Sequence, residues 1–239
     1  MKKQMLAFLA WMFFLAPTVA QAQKSLEGAW SNTQGEVTTW ILVTDQILSL
    51  TQFETASHKL LATYGGTYRI NGMEIEVLQE WNSKDSLQVG QSKKLSVKWR
   101  KGNVLIDQVS FTSMDKGEPG KMKGNWIIVG NFSNDVLSRR PNPFYPRRTM
   151  KIHTGNAFQW IAYNVLTKQF FGTGGGWYTT QGNVYTEEIV FFTKASSSIG
   201  KKLPFELQIQ DGIWRHKGQK STGGPMDEAW SRRELLDHK

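Results

Sequence analysis

Tyr64-Gly65-Gly66-Thr67-Tyr68 returns 110 residues later as Gly174-Gly175-Gly176-Trp177-Tyr178. At that offset, without a gap, Thr44 matches Thr154, Thr63 matches Thr173 and Gly72 matches Gly182. Lys84, Ser86, Gly90 and Gly102 match Lys194, Ser196, Gly200 and Gly212. Half of the identities are glycine, the residue that marks turns and bulges. Where the copies differ, apolar mostly replaces apolar: Leu95 for Phe205, Val97 for Leu207, Val89 for Ile199. A maintained register with turn residues fixed in place reads as a duplicated supersecondary unit.

A second pair lies upstream. Gly28-Ala29-Trp30 and Gly124-Asn125-Trp126 both precede a strand-like run, at a spacing of 96 residues. The second copy therefore carries an insertion, visible at 134–148 as Pro141, Pro143 and Pro146 among Arg139, Arg140, Arg147 and Arg148. This divides the chain into two domains, over 23–116 and 117–239, with a linker from Met114 to Gly120. The insertion reads as an extended loop at a domain mouth, or as a lid or a contact for an acidic partner.

Within each copy the runs alternate with period two. Leu95-Ser96-Val97-Lys98-Trp99-Arg100 and Phe205-Glu206-Leu207-Gln208-Ile209-Gln210 are the clearest. Asp211-Gly212 after the second run is a two-residue hairpin signal, and Gly102-Asn103 plays a similar part in the first copy. No long helical stripe is present after residue 22. Each copy has room for eight or so short antiparallel strands, which predicts an all-β fold of two barrels or sandwiches in tandem. Ten Trp, thirteen Phe, six Tyr and 22 Gly agree with that class.

The chain of 239 residues has no cysteine. Disulfide scaffolds, thiolate-ligated metals and thiol nucleophiles are excluded. The N-terminal 1–22 reads as a cleaved export signal: Lys2 and Lys3, an apolar stretch from Met5 to Ala16, and Ala20-Gln21-Ala22 as the cleavage site. The alternative, a membrane anchor, needs a longer span. Cleavage would lower the net charge from +9 to +7, leaving an exported chain, periplasmic or secreted, with no further apolar run long enough to span a bilayer.

The G-x-W opening of a small antiparallel barrel resembles the lipocalin and calycin pattern. The second copy is also similar to exported bacterial lipocalin-like proteins of unknown activity. Gly174 to Tyr178, Tyr185-Thr186-Glu187, Asp211 to Gly218 and Glu228 to Arg232 carry that likeness. The first copy departs from it, lacking the E-x-W-x-R ending. The resemblance implies two lipocalin-like β-barrels in which a Trp (Trp30, Trp126) closes one end and a basic residue of the last strand, Arg232, packs over it. It implies no reaction.

Comparing the copies proposes a site. Ile75, Val77, Gln79 and Trp81 share the more apolar face of one strand, which should point inward. Transferred by 110, that face becomes Tyr185, Glu187, Ile189 and Phe191. Leu95, Val97 and Trp99, and likewise Phe205, Leu207 and Ile209, are also expected inside, with Trp214 and His216 continuing across the hairpin. Glu187 then stands where Val77 does, and His216 where Ile106 does. With Tyr178, Tyr185, Phe158 and Trp160 they would form a polar pair in an aromatic-walled pocket. A one-residue slip at a bulge would instead turn Glu188 inward.

The leading expectation is a non-enzymatic protein binding a small, partly apolar or amphipathic molecule in the second barrel. Barrels filled by their own side chains, serving a structural or interaction role, are the alternative. Acid–base catalysis by Glu187 and His216 is a third reading. His58, His153, His216 and His238 show no metal-binding spacing, and a lone strand histidine such as His153 is expected to be structural or exposed. No cofactor, no metal and no nucleic-acid partner are expected.

Overall fold

The computed structural model describes residues 25–100, 102–115 and 120–237. The segment 1–22, read from the sequence as an export signal, and the middle of the linker lie outside the described residues. The first eight strands are β1 (Gly28–Gln34), β2 (Val37–Val43), β3 (Ile47–Glu54), β4 (Leu60–Asn71), β5 (Glu74–Asn82), β6 (Ser92–Arg100), β7 (Asn103–Ile106) and β8 (Val109–Ser113). They form a closed antiparallel barrel, β8 pairing back to β1. The remaining strands are β9 (Gly124–Ser133), β10 (Val136–Arg139), β11 (Arg147–His153), β12 (Ala157–Asn164), β13 (Phe170–Gln181), β14 (Val184–Phe192), β15 (Lys202–Gln210), β16 (Ile213–Gln219) and β17 (Pro225–Arg232). Here β17 pairs with β9 to close a second barrel, and β10 is an extra arm on β9. The all-β tandem of eight-stranded barrels is as the sequence predicts. Among the described residues no helix is long and apolar enough to cross a membrane.

The duplicated glycines have one physical cause in both barrels. A Cβ on Gly66 would lie 1.9 Å from the Leu78 carbonyl oxygen, and one on Gly176 1.9 Å from that of Glu188. The neighbours Gly65 and Gly175 would meet the Leu48 and Phe158 carbonyls at 2.3 and 2.6 Å. Each Gly-Gly step faces a bulge on the next strand: Gly66 pairs with Gln79 but Gly65 with Trp81, and Gly176 with Ile189 but Gly175 with Phe191. The extra residue reverses the facing of every later side chain on the strand. Trp81 and Phe191, expected inside their barrels, therefore point outward. This corrects the simple alternation drawn from the sequence.

Those two rings are buried all the same, because the barrels pack on each other. Trp40, Leu42, Phe53 and Trp81 of the first join Met150, Ile152, Ile161, Tyr163 and Phe191 of the second in one core. The interface is self-complementary in the manner of a two-fold dimer. Phe53 stacks on Phe191 at 5.4 Å, and their repeat equivalents Tyr163 and Trp81 meet at 5.3 Å. Ser49 donates to Gln159, its own equivalent, at 2.6 Å. Gln159 in turn donates to Thr173 at 3.0 Å and to Thr63 at 3.4 Å, again an equivalent pair.

One ionic lock departs from the symmetry. Glu80, the extra residue of the first bulge, accepts from Arg233 at 2.7 and 3.0 Å, from Arg148 at 2.6 Å and from the Tyr163 hydroxyl at 2.6 Å. Burial alone would raise its pKa, but Arg233 foremost and then Arg148 hold the carboxyl below its usual range. A buried carboxylate is tolerated when its lone pairs are satisfied in this way.

Both barrel ends carry the Trp of the G-x-W pair. The Trp30 indole donates to the Leu26 carbonyl at 2.9 Å, and the Trp126 indole to that of Met122 at 2.9 Å. The Arg232 guanidinium lies 4.0 Å from the Trp126 ring centroid and donates to the carbonyls of Lys121 and Lys123. Trp30 instead meets Trp99 edge-on at 5.7 Å.

Candidate functional site

Strand alternation and the hairpins fix which side chains enter the second barrel. Tyr178 pairs with Glu187, Glu187 with Leu203, and Leu207 with His216. The Asp211-Gly212 turn places Ile209 opposite Trp214, with both turn residues at positive φ, 51° and 74°. That is the backbone a two-residue hairpin requires. The bulge lies beyond Glu187, so Glu187 faces inward and is buried. Glu188 faces out, 3.3 Å from Lys202.

In the first barrel the same positions are apolar. Ile41, Val43, Leu48, Ile75, Val77 and Ile106 are buried together in its core. Their equivalents in the second are Lys151, His153, Phe158, Tyr185, Glu187 and His216, all buried. Lys151 and Trp160 pair across β11 and β12 as Ile41 and Leu50 do across β2 and β3.

These groups form a connected chain. Lys151 Nζ donates to Glu187 Oε1 and lies 3.4 Å from His216 Nδ1. The Tyr185 hydroxyl donates to the same Glu187 oxygen at 2.9 Å, and His153 Nε2 sits 2.9 Å from that hydroxyl. With the Tyr185 proton committed to Glu187, His153 Nε2 must carry its own proton and donate. With Lys151 donating to Nδ1, the His216 proton is on Nε2, which has no partner. It lies 4.0 Å from Glu187 Oε1. Burial first, then the Lys151 charge, hold both imidazoles well below the usual histidine pKa, so both are neutral near pH 7. Burial, then Glu187, raise the Tyr185 phenol well above its ordinary value. The Lys151 ammonium also lies 5.2, 5.4 and 5.7 Å from the ring centroids of Trp214, Trp230 and Tyr185, where π-faces replace part of its lost hydration.

Above this chain opens a cavity of about 300 Å³. Lys151, Glu187, His216 and Glu228 contribute its polar surface. Trp160, Phe192, Ile189, Leu203, Phe205, Met226 and Trp230 supply apolar walls. Glu228 accepts from the Trp230 indole at 3.1 Å, and its oxygen lies 3.8 Å from His216 Nδ1. Burial raises the Glu228 pKa above the usual carboxylate value. The second barrel also has the longer last hairpin, with β16 and β17 of seven and eight residues against four and five for β7 and β8. Its tip reaches the mouth, where the Ser221 carbonyl accepts from Lys201 at 2.8 Å.

Of the residues expected to bind a ligand, Trp160, Glu187 and His216 line this cavity. Phe158, Tyr178, Tyr185 and Trp214 lie in the packed layer beneath it. Tyr178 has a structural bond that the repeat duplicates: its hydroxyl donates to the Thr154 carbonyl at 2.7 Å, as that of Tyr68 does to Thr44 at 2.8 Å. Ile209, expected inside, is 41% exposed because it lies beyond the rim next to the turn. The 134–148 insertion is in part β10 and the start of β11. From it Arg140 and Arg147 reach the cavity mouth, while Arg148 turns to Glu80 at the barrel interface.

The sequence reading missed Lys151 and Glu228. Lys151 was accessible, since the 110-residue offset sets it against Ile41. Glu228 was not, because the longer hairpin moves its counterpart out of the 110-residue register: His216 pairs with Glu228 as Ile106 pairs with Val109. No protein-family model matches this chain, and no curated protein matches it.

Proposed function

We propose that this is an exported, lipocalin-like binding protein whose second barrel holds a small, partly apolar ligand and whose first barrel is a structural partner. One observation carries the reading. Ile41, Val77 and Ile106, which fill the first barrel, are replaced in the second by Lys151, Glu187 and His216 beside a cavity of about 300 Å³. That volume is at the small end of ligand pockets, and the mix of aromatic walls with a few convergent polar groups is the usual composition of one. Burying three polar side chains costs stability relative to aliphatic residues, and a ligand-binding role accounts for their presence. The arginine stacked over Trp126 at the barrel end supports the lipocalin-like assignment. Acid–base chemistry at Glu187 and His216 would have to proceed through Lys151, which touches both.

The test is mass spectrometry of small molecules released from the purified full chain. Ala162 lines the cavity, and Ala162→Trp fills it. The expected outcome is a stoichiometric molecule in the wild type that is absent from the folded Ala162→Trp protein. An identical profile from both proteins would contradict the reading.

A further inference from the structure

We propose that the second barrel selects an anion: a molecule whose negative group rests among Arg140, Arg147, Lys194 and Lys220 while a flat apolar body lies against Trp160 and Phe192. This rests on the cavity being a ligand site.

The four cations line the mouth and are exposed. Among the described residues none of them makes a salt bridge, whereas Lys151, Arg148, Arg215 and Arg233 are all paired. The two carboxylates of the cavity are already engaged. Glu187 is held by Lys151 and Tyr185, and Glu228 accepts from Trp230. Four cations against the single unpaired carboxylate of Glu228 leave the mouth net positive, and an anion relieves the remaining repulsion. Partial burial foremost lowers the Arg140 pKa from the ordinary arginine value; the Glu228 carboxylate opposes that shift and Arg147 adds to it. The Lys194 ammonium lies 5.4 Å from the Trp160 ring centroid, so charge and flat wall adjoin.

The two barrels differ here in a telling way. Lys84 matches Lys194, but Val37 matches Arg147. Arg140 belongs to the insertion, and Lys220 to the tip of the longer hairpin. The segments that build the mouth are the ones that brought the charge.

The experiment compares two fluorescent probes with one aromatic body: 1-anilinonaphthalene-8-sulfonate and uncharged N-phenyl-1-naphthylamine. Each is titrated into the full mature chain at low salt. Surface charge contacts are individually weak, and several together predict about a tenfold preference for the sulfonate. That preference should shrink as salt screens the rim. Changing Arg140, Arg147, Lys194 and Lys220 together to Gln should leave the uncharged probe bound and erase the preference. Equal affinity of the wild type for both probes would overturn the anion inference and leave the ligand reading standing. Failure of both probes to bind would overturn both. Sulfonate binding undiminished in Ala162→Trp would place it outside the cavity and defeat the proposal. Displacement of the sulfonate by inorganic phosphate at matched ionic strength would show a bare-anion site and overturn the amphipathic part.

Discussion

The two barrels share a backbone plan and differ in what they enclose. The first is closed over an aliphatic core in which Ile41, Val77 and Ile106 need no partners. The second places Lys151, Glu187 and His216 at those positions, and each must be satisfied by another. The outer faces tell the opposite story, since equivalent residues of the two barrels meet across a shared apolar interface. The copies thus share the surface that binds them together and differ in their interiors. One barrel bears the packing, while the other carries a costly polar cluster.

The largest expected effect breaks the comparison at its centre. Lys151→Ile installs the first-barrel residue and leaves the Glu187 carboxylate buried without its cation, which should cost about 3–5 kcal/mol. The triple variant Lys151→Ile, Glu187→Val, His216→Ile makes the interior match the first barrel. It should recover most of that loss, since well-packed apolar replacements of buried ion pairs are often neutral or stabilising. Urea denaturation of both variants checks this. A single variant as stable as wild type would mean that Glu187 does not depend on Lys151.

A second prediction tests what the barrels have in common. Gly66→Ala and Gly176→Ala each push a Cβ into a carbonyl oxygen. Overpacking of this kind should cost about 1–3 kcal/mol at either site. Similar shifts in the unfolding midpoints would show that the two bulges are equally constrained, and a large difference would show that one barrel yields more readily.

The last comparison concerns pH. His153 and His216 have depressed pKa values in the folded protein, so the unfolded chain binds more protons once pH falls below about 6.5. Stability is full above that value and declines as pH falls toward 5, by up to about 1.4 kcal/mol per pH unit for each histidine. The first barrel has Val43 and Ile106 in their places. Replacing His153 by Val and His216 by Ile should flatten the profile between pH 7 and pH 5, as measured by urea denaturation at each pH. An unchanged slope would mean that other groups govern acid sensitivity.

Much of the site was readable because the chain supplies its own reference copy. Glu187 and His216 emerge from substitution against Val77 and Ile106, and Lys151 against Ile41 would have emerged from the same step. Trp81 and Phe191 were misread because alternation assumes an unbroken ladder, and the bulge residue that breaks it leaves no local signal. Glycine marks where strands approach closely, but it does not say which face the next residues take.

The sequence by itself determined the strands, the turns, the duplication and the polar exchanges, since these depend on local periodicity and on residues such as Gly66 and Gly176 that have no room for a Cβ. Only the tertiary structure decided that Phe53, Trp81, Tyr163 and Phe191 form an interface between barrels. It alone placed the cations of the insertion and the hairpin tip at one mouth, and it alone joined Lys151, Glu187, Tyr185 and His153 into one hydrogen-bonded chain. Those outcomes depend on how strands distant in sequence close into a barrel and on which faces remain to be buried afterwards, and no local pattern of residues encodes that.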